Sequence, residues 1–336
     1  MAAHRPPILQ WQEIADNYNA GLIVGNGGSV AVDRGFSYGS LYQAAQLHGH
    51  IDGRVADVFR RFDTQDFELV LRRLWQATLV NQALELPDGP VEIAYVDVRD
   101  ALIRTIRDTH VSYERALPHL IPIYRFMQRF RTIVSLNYDL IVYWAAMLGN
   151  QQLGTWFKDG FHGRRFNEDW RSYRVPLDAQ ETTMFFYPHG NLVLARTKTD
   201  SEVKIAARQY QDLLTSILDR WSTGRVVPLF VCEGTTQQKR HAIDSSSYLR
   251  TVLNEAMREL GEAIVIYGWG LGDQDAHILD ALRASPCKRI AVSVHGGNYD
   301  FINQALKLLG PIADQIQFFD SASYECWNVL AREEAI

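Results

Sequence analysis

Two polar residues that follow short apolar runs are the strongest candidates for chemistry in this sequence. Asn137 comes directly after the apolar run 132–136, and His189 follows the run 184–187 with Pro188 between them. An imidazole can accept a proton near neutral pH, which most side chains cannot do. The alternatives are that Asn137 caps the helix that follows it and that His189 is an ordinary turn residue.

Two glycine-rich segments also follow apolar runs, one early and one late in the chain. The first has the sequence Gly25-Asn26-Gly27-Gly28-Ser29. The second has the sequence Gly268-Trp269-Gly270-Leu271-Gly272-Asp273-Gln274-Asp275. Glycine lets the backbone approach a ligand closely, so amide groups in such loops can converge on a diphosphate. The alternatives are a tight turn without a ligand for the first segment and helix capping by Asp273 or Asp275 for the second.

Short runs of β-branched and aromatic residues alternate along the chain with longer segments of helical periodicity, which is typical of βαβ units. The predicted strands are residues 21–25, 132–136, 184–187, 226–232, 263–267, 290–294 and 316–319. Most of these runs are continuously apolar, as expected for parallel strands covered on both faces. The sequence therefore predicts an α/β fold, namely a Rossmann-like parallel sheet with helices on both faces and a helical insertion. Ligands of such sheets bind beyond the carboxyl ends of the strands, where the residues described above are predicted to lie.

Two intervals between predicted strands are too long for simple crossovers. Residues 55–130 are helical almost throughout, with a break at residues 87–90, and they predict a helical insertion or small subdomain over the site. Residues 151–182, rich in Arg, Trp and Gly, have weak periodicity and predict an extended loop or lid. The expected division is an α/β domain formed by residues 1–54 and 131–336, with residues 55–130 inserted into it.

The composition is that of an ordinary globular protein and indicates neither a nucleic-acid nor a membrane partner. Of 336 residues, 47% are hydrophobic and 22% are charged, and the formal net charge is -5. A negative net charge offers no general attraction for nucleic acid or anionic lipid. No apolar run approaches the roughly 20 residues of a membrane helix and no signal-peptide core is evident, so a soluble, cytoplasmic protein is expected.

The three cysteines, Cys232, Cys287 and Cys326, are far apart and form no C-x-x-C pair. They are odd in number for a disulfide framework and too few for a four-cysteine zinc site, so reduced structural thiols are expected. Because no clustered set of His and Cys ligands is evident in the sequence, no metal is predicted.

Taken in order, these motifs resemble those of the SIR2-like family, in its branch of bacterial DUF4917-like proteins and phage-defence NAD hydrolases. The first glycine-rich segment resembles the family's NAD loop, usually G-A-G-x-S, and Phe36-Ser37-Tyr38 lies where an aromatic residue commonly covers nicotinamide. Asn137-Tyr138-Asp139 matches the N-x-D motif, and His189-Gly190 matches the catalytic H-G. The second segment looks like the later G-x-S-x-x-D element, and Val294-His295-Gly296 lies where the adenosine end is usually bound. This sequence departs from the pattern at Asn26, usually a small residue, and at Gly270, usually a serine.

The resemblance implies that NAD is the substrate and that its bond between nicotinamide and ribose is cleaved, giving nicotinamide and ADP-ribose or a cyclic form. It assigns Asn137 to positioning water or the carboxamide end, His189 to general base catalysis, and Asp139 to orientation or electrostatic support. The implied NAD contacts are Gly25, Asn26, Gly27, Ser29, Phe36, Gly268, Trp269, Gly270, Asp273, His295 and Gly296.

The same resemblance implies a role in bacterial anti-phage defence and control through assembly. A homo-oligomer is expected, with a separate HerA-like ATPase or another defence-system protein as a further partner, and without direct contact with nucleic acid or membrane. Two other functions stay open: NAD-dependent deacylation or ADP-ribosyl transfer, and a catalytically silent module that senses NAD or ADP-ribose. The chain lacks the zinc module that forms the acyl-peptide cleft of sirtuin deacetylases, which lowers the case for deacylation.

Overall fold

The computed structural model describes residues 5–37, 39–197, 199–207, 212–231 and 235–327. Its β-strands are β1 (Ile8–Leu9), β2 (Gly21–Val24), β3 (Thr132–Ser135), β4 (Phe157–Lys158), β5 (Phe161–His162), β6 (Arg165–Phe166), β7 (Thr183–Phe186), β8 (Gly190–Thr197), β9 (Glu202–Lys204), β10 (Val226–Phe230), β11 (Ala263–Tyr267), β12 (Arg289–Val294) and β13 (Gln315–Asp320). Its α-helices are α1 (Trp11–Ile14), α2 (Asn26–Val30), α3 (Leu41–Leu47), α4 (Gly53–Arg61), α5 (Phe67–Ala83), α6 (Gly89–Thr109), α7 (Tyr113–Met127), α8 (Ile141–Leu153), α9 (Leu213–Ser222), α10 (Thr236–Asp244), α11 (Ser247–Asn254), α12 (Ala276–Arg283) and α13 (Tyr299–Leu309).

A parallel sheet forms the centre of the fold. Among the described residues it has eight strands in the order β1-β13-β12-β11-β2-β3-β7-β4, and every neighbouring pair is parallel. From β7 to β13 this is the 3-2-1-4-5-6 order of doubly wound nucleotide-binding folds, with β2 as the first strand. The chain leaves β2 for β3 and β7 on one side and later returns to β11 on the other. The topological switch point therefore lies between β2 and β11, and the predicted Rossmann-like sheet is confirmed.

The central strands are short, apolar and buried along their whole length. Every residue of β2, β3, β7 and β11 is buried. A strand in the middle of such a sheet has both faces covered by helices, so alternation between apolar and polar residues is lost. This explains why the strand runs could be recognised in the sequence without a period-two pattern.

Helices α2 to α7 lie between β2 and β3, and α4 to α7 account for the helical pattern predicted over residues 55–130. The stripe Phe67, Val70 and Leu71 on α5 is fully buried. Helices α5 and α6 pack against each other and are joined by residues 84–88, so the predicted break at 87–90 overlaps this connection and the start of α6. Among the described residues, no helix combines the length and the apolar character needed to cross a bilayer.

Two predictions of local structure are wrong. The run 226–232 does not join the parallel sheet, because β10 pairs antiparallel with β8 in a separate three-stranded sheet β10-β8-β9, while Cys232 lies outside the described residues. The sequence analysis missed β8, which follows His189 directly and is buried over most of its length. Residues 151–182 are not simply an extended loop or lid. They contain β4 at the sheet edge and the β5–β6 hairpin, and Trp170 packs in the core 5.0 Å from the Phe186 ring.

Candidate functional site

The carboxyl ends of β2 and β11 cross at the switch point with almost no space between them. The Gly25 amide donates to the Tyr267 carbonyl (2.9 Å), and the Gly27 amide donates to the Gly268 carbonyl (2.7 Å). A Cβ on Gly25 would lie 2.5 Å from the Trp269 Cα, and one on Gly268, whose φ is +66°, would lie 2.5 Å from the Gly28 amide nitrogen. The two glycine-rich segments therefore meet because only glycine fits where they cross.

Two cavities adjoin this crossing. The first cavity has a volume of about 490 Å³ and lies on the side of β3 and β7. Its lining includes the predicted site residues Gly25, Asn26, Gly27, Phe36, Asn137, Asp139, His189, Gly268, Trp269 and Gly270. The second cavity, of about 690 Å³, lies toward β12 and α13, and its lining includes Arg34, Ser293, His295, Asn298 and Phe301. Gly27, Gly268, Trp269 and Gly270 line both cavities, so the crossing forms their shared wall.

Asn137 is held in a fixed orientation at the end of β3. Its side-chain nitrogen donates to the Gly25 carbonyl (3.0 Å) and to Ser29 Oγ (2.8 Å). These bonds use both amide hydrogens, so the side-chain oxygen Oδ1 is the group that a ligand in the first cavity would meet. The residue is 7% exposed. Asn137 therefore offers an oriented acceptor to the cavity instead of capping α8.

Asp139 holds the Ser29 hydroxyl that orients Asn137, and it also makes the turn into α8. Its Oδ2 accepts from Ser29 Oγ (2.5 Å), and its Oδ1 accepts from the Ile141 amide (2.9 Å). Burial raises the pKa of Asp139, while the nearby His110 and the bond from Ser29 oppose that rise. The same carboxylate therefore accepts from the first amide of α8 and holds the hydroxyl that orients Asn137.

Phe36 forms an apolar wall of the first cavity. It is 3% exposed, and its ring meets the ring of His110 edge-on with centroids 5.3 Å apart. The Asn26 side chain donates to the Phe36 carbonyl (3.1 Å), which ties the first glycine-rich segment to this wall. Tyr38, from the same motif, lies outside the described residues.

His189 lines the first cavity at the start of β8, and behind it lies a second histidine that the sequence analysis did not single out. His189 Nε2 and His277 Nε2 are 2.7 Å apart, and the two residues are 4% and 1% exposed. Burial, followed by the positive charge of Lys239, lowers the pKa of His189 to about 3. Burial likewise lowers the pKa of His277 to about 4. Both rings are therefore neutral at physiological pH, and one of them donates an N–H to the other.

An ion pair flanks the two histidines. Lys239 Nζ lies 2.8 Å from Asp275 Oδ1, and the Trp269 indole donates to Asp275 Oδ2 (3.1 Å). Asp275 Oδ1 also lies 3.9 Å from His189 Nε2. Burial would raise the pKa of Asp275, but the charge of Lys239 and the hydrogen bonds from Lys239 and Trp269 oppose it, and the pKa is lowered. Asp275 stands at the N-cap position of α12 without capping it by its side chain, so the capping interpretation does not hold for this residue.

Several predicted contacts are not brought to the first cavity. Asp273 is exposed and lines neither cavity. Asp275, two residues later, lines the first cavity instead. Ser29 is buried behind Asn137 and reaches the cavity only through that residue. His295 lines the second cavity, whereas its neighbour Gly296 lines neither.

Two groups of side chains place potential metal ligands close together among the described residues. His189, Asp275 and His277 form a buried group, and His48, His50 and Asp108 form one nearer the surface, with ligand atoms within 4.8 Å of one another. In the buried group the Lys239 ammonium already contacts Asp275 Oδ1, so a divalent cation there would face an adjacent positive charge. The buried donor set therefore fits a His–His hydrogen bond beside an ion pair better than a metal site.

Lys239 and His277 are functional candidates that sequence reasoning missed. Lys239 lies on α10 and His277 on α12, so neither follows a strand of the main sheet directly. The one available signal was the spacing Asp275-x-His277 after the second glycine-rich segment. That spacing alone does not predict a contact with His189, which is 88 residues away in sequence.

Comparison with known proteins gives a family but no activity. Residues 22–327 match the family model described as "Domain of unknown function (DUF4917)". No curated protein matches the chain. One solved structure, described as "Structural Basis for the Mechanism and Regulation of Sir2 Enzymes", aligns over 92% of this chain and 90% of that chain, with 11% sequence identity and a TM-score of 0.38.

Proposed function

The chain belongs to the DUF4917 family, whose description states no activity, and we propose that it binds NAD and hydrolyses the bond between nicotinamide and ribose. One observation carries the proposal: two adjoining cavities, of about 490 and 690 Å³, lie at the switch point of a sheet with the 3-2-1-4-5-6 strand order. Doubly wound folds bind dinucleotides at this point. Each volume falls within the range of about 300–1,000 Å³ that is usual for small-molecule sites.

The lining of the cavities favours one orientation of the dinucleotide. The first cavity holds Asn137 and His189, so it suits the nicotinamide and its ribose, where a bond is to be broken. The second combines Phe301 with His295 and Asn298, which suits stacking and hydrogen bonding of a purine nucleoside. The diphosphate would then cross the shared glycine wall.

The charge for the diphosphate comes from side chains more than from the glycine loop. The amides of Gly27 and Gly28 already donate to the carbonyls of Gly268 and Gly25. Lys239 in the first cavity and Arg34 in the second supply positive charge on either side of the crossing. The loop's contribution is mainly its lack of side chains, which lets the ligand lie against the backbone.

Nicotinamide in NAD carries a positive charge and leaves as a neutral molecule, so the reaction passes through an oxocarbenium-like transition state. As the ribose–nitrogen bond breaks, the bonding pair leaves with nicotinamide, a water oxygen bonds to the ribose carbon, and the water proton goes to His189. Asn137 Oδ1 orients that water or the carboxamide. Phe36 keeps bulk solvent from the reacting carbon.

The low pKa of His189, about 3, is compatible with this chemistry. The imidazole is neutral at physiological pH and so keeps the lone pair that a base needs, although it is a weak base. A reaction whose leaving group departs readily requires little base strength. A reaction step that needs a strong base would be poorly served by this environment.

Incubation of the purified protein with NAD, followed by chromatographic and mass-spectrometric identification of products, tests the proposal. We expect nicotinamide and ADP-ribose, or a cyclic product, without any acyl substrate. Nicotinamide release that requires an acylated peptide would indicate deacylation instead. Tight NAD binding without turnover would indicate a sensing module, and neither binding nor turnover would refute the proposal.

We also propose, from the motif resemblance alone, that the reaction serves anti-phage defence and that an ATPase or another defence-system protein controls it. Cellular NAD should then fall after phage infection only when the active protein is present. An unchanged NAD level during a productive infection would contradict this wider role without touching the enzymatic proposal.

A further inference from the structure

We propose that His277 masks the candidate base: in the ligand-free protein its Nε2–H occupies the lone pair of His189 Nε2 that a substrate proton needs. The catalytic consequence rests on the proposed function. The contact itself is a property of the ligand-free protein and can be tested without any reaction.

The geometry of the two rings requires a hydrogen bond of one particular kind. Their Nε2 atoms are 2.7 Å apart, within N–H···N hydrogen-bond distance, and the ring centroids are 5.0 Å apart. Two lone pairs at that distance would repel each other, as would two N–H groups. One Nε2 therefore carries the hydrogen and the other accepts it.

Only one of the two rings can be the donor. A neutral imidazole carries one N–H and one lone pair in the ring plane, so the donor is protonated on Nε2 and the acceptor is protonated on Nδ1.

The other nitrogen of His277 decides which ring is the donor. His277 Nδ1 is buried and has no hydrogen-bond partner. If Nε2 carries the hydrogen, Nδ1 is a bare acceptor, and buried acceptors without a partner are tolerated more often than buried N–H groups. His277 Nε2–H is therefore the donor, and His189 is protonated on Nδ1 with its lone pair on Nε2. That single lone pair is occupied, so none is available to a ligand in the first cavity.

The neighbouring ion pair provides a route by which the mask is released. Asp275 is a second acceptor within reach of a small movement, because one of its carboxylate oxygens lies within 4.8 Å of a ring nitrogen of His277. At present Lys239 Nζ lies 2.8 Å from Asp275 Oδ1. Lys239 lines the first cavity, so an anionic group of a bound ligand attracts its ammonium. With Lys239 drawn away, Asp275 accepts the His277 N–H and the lone pair of His189 is released. No proton changes residue in this step; one hydrogen bond changes its acceptor.

Ring-nitrogen NMR spectra of the full-length protein labelled with ¹⁵N-histidine test the contact directly. The signals of His189 are identified by their loss in His189→Gln. We expect the wild-type His189 to be protonated on Nδ1, with a hydrogen-bonded lone pair on Nε2 and scalar coupling across to His277 Nε2. A His189 protonated on Nε2 would overturn the inference.

Paired variants separate the hydrogen bond from the bulk of the ring. His277→Phe keeps a ring but removes the donor, so the His189 Nε2 signal should move to the position of a free lone pair. His277→Gln places an N–H donor near the same point and should keep the bound position. If His277→Phe does not fold, His277→Asn replaces it, because the shorter side chain does not bring its amide to His189 Nε2. His241→Phe, at an exposed position on α10, is the control and should leave the His189 signals unchanged.

The catalytic consequence is measured on the same variants. Loss of one hydrogen bond with a net worth of about 1 kcal/mol should raise kcat/KM for NAD cleavage about fivefold in His277→Phe. His277→Gln, which keeps an N–H donor, should raise kcat/KM by a smaller factor. A fall of kcat/KM in a folded His277→Phe protein would show that His277 supports the base, which overturns the masking role. If no variant releases nicotinamide, the proposed function fails, and the NMR spectra still decide the contact.

Discussion

Asn137 and His189 reach the first cavity from the ends of β3 and β7, and replacing either tests the proposed chemistry at the scale of one residue. Loss of a general base typically costs about a hundredfold or more in rate. His189→Ala and Asn137→Ala should each lose at least that factor in NAD cleavage. Both side chains lie at strand ends outside the apolar core pattern, so we expect both variants to fold, which circular dichroism can verify. Full activity in either folded variant would contradict the assignment.

The buried histidine pair predicts how stability depends on pH. The pKa values of His189 and His277 are lowered by burial to about 3 and about 4, from an ordinary value of 6.5. Between those values and 6.5 the unfolded chain binds protons that the folded chain does not, so stability falls as the pH is lowered through this window. Each imidazole contributes a slope of at most about 1.4 kcal/mol per pH unit.

Calorimetric melting temperatures measured from pH 7.5 down to pH 4.5 test this dependence. The wild-type protein should lose melting temperature steadily below pH 6.5. His277→Gln, which removes one of the two titrating groups, should lose it less steeply. An identical slope in the two proteins would show that the buried pair does not control the acid sensitivity.

Chelation tests the interpretation of the His189, Asp275 and His277 group. Because the Lys239 ammonium lies 2.8 Å from Asp275 Oδ1, we expect NAD cleavage to survive prolonged dialysis against EDTA. The measurement is activity together with elemental analysis before and after dialysis. Activity that is lost on dialysis and restored by zinc or magnesium would show that this group, or the one at His48, is a metal site.

At the scale of elements, the close crossing of the β2 and β11 ends predicts strict limits on substitution. Gly25→Ala and Gly268→Ala would each place a Cβ about 2.5 Å from backbone atoms of the opposite segment. Because backbone cannot move aside cheaply, both variants should melt well below the wild type or fail to fold. Gly53→Ala, which has open space around it at the start of α4, is the matched control and should be neutral or slightly stabilising.

Gly270→Ala tests ligand binding at the same crossing without disturbing the fold. Gly270 lines both cavities, and a Cβ there would meet nothing within 4 Å. The variant should therefore fold normally and weaken NAD binding, which isothermal titration calorimetry can measure. Unchanged NAD affinity would show that the ligand does not lie against this part of the wall.

The elements that position Asn137 and His189 could be predicted from the sequence because continuously apolar runs mark buried parallel strands. Those runs placed β2, β3, β7 and β11 within a residue or two of where they lie. β10 was assigned to the wrong sheet because a short apolar run carries no information about its partner strand. Periodicity also gives no contact between residues on different helices. The meeting of Lys239 on α10, His277 on α12 and His189 therefore became evident only in three dimensions.

At the scale of the whole molecule, the inserted helices expose a cluster of apolar residues on the side of α5 and α6 where these helices are joined. Leu84 and Leu86 in the connection are 62% and 52% exposed, and Val80 and Ile93 on the adjoining helix ends are 55% and 53% exposed. Scattered apolar residues on a surface need no explanation, but neighbouring ones in one short connection are typical of an interaction surface. This cluster is therefore our candidate for the interface of the expected homo-oligomer.

The last prediction concerns that interface. A carboxylate introduced into a buried apolar contact must be desolvated, so Leu84→Glu and Leu86→Glu should shift the protein toward the monomer. Leu177→Glu, at an exposed leucine (77%) in the segment between the β5–β6 hairpin and β7, is the matched control and should keep the oligomer. Molar mass from light scattering, measured over a range of concentrations alongside NAD turnover, distinguishes these outcomes. A wild-type protein that is monomeric at every concentration would remove the interface. An unregulated NAD hydrolase would exhaust a central cofactor of the cell, so we expect turnover to change with assembly. Release of the masked lone pair of His189 is the step through which assembly would change the turnover.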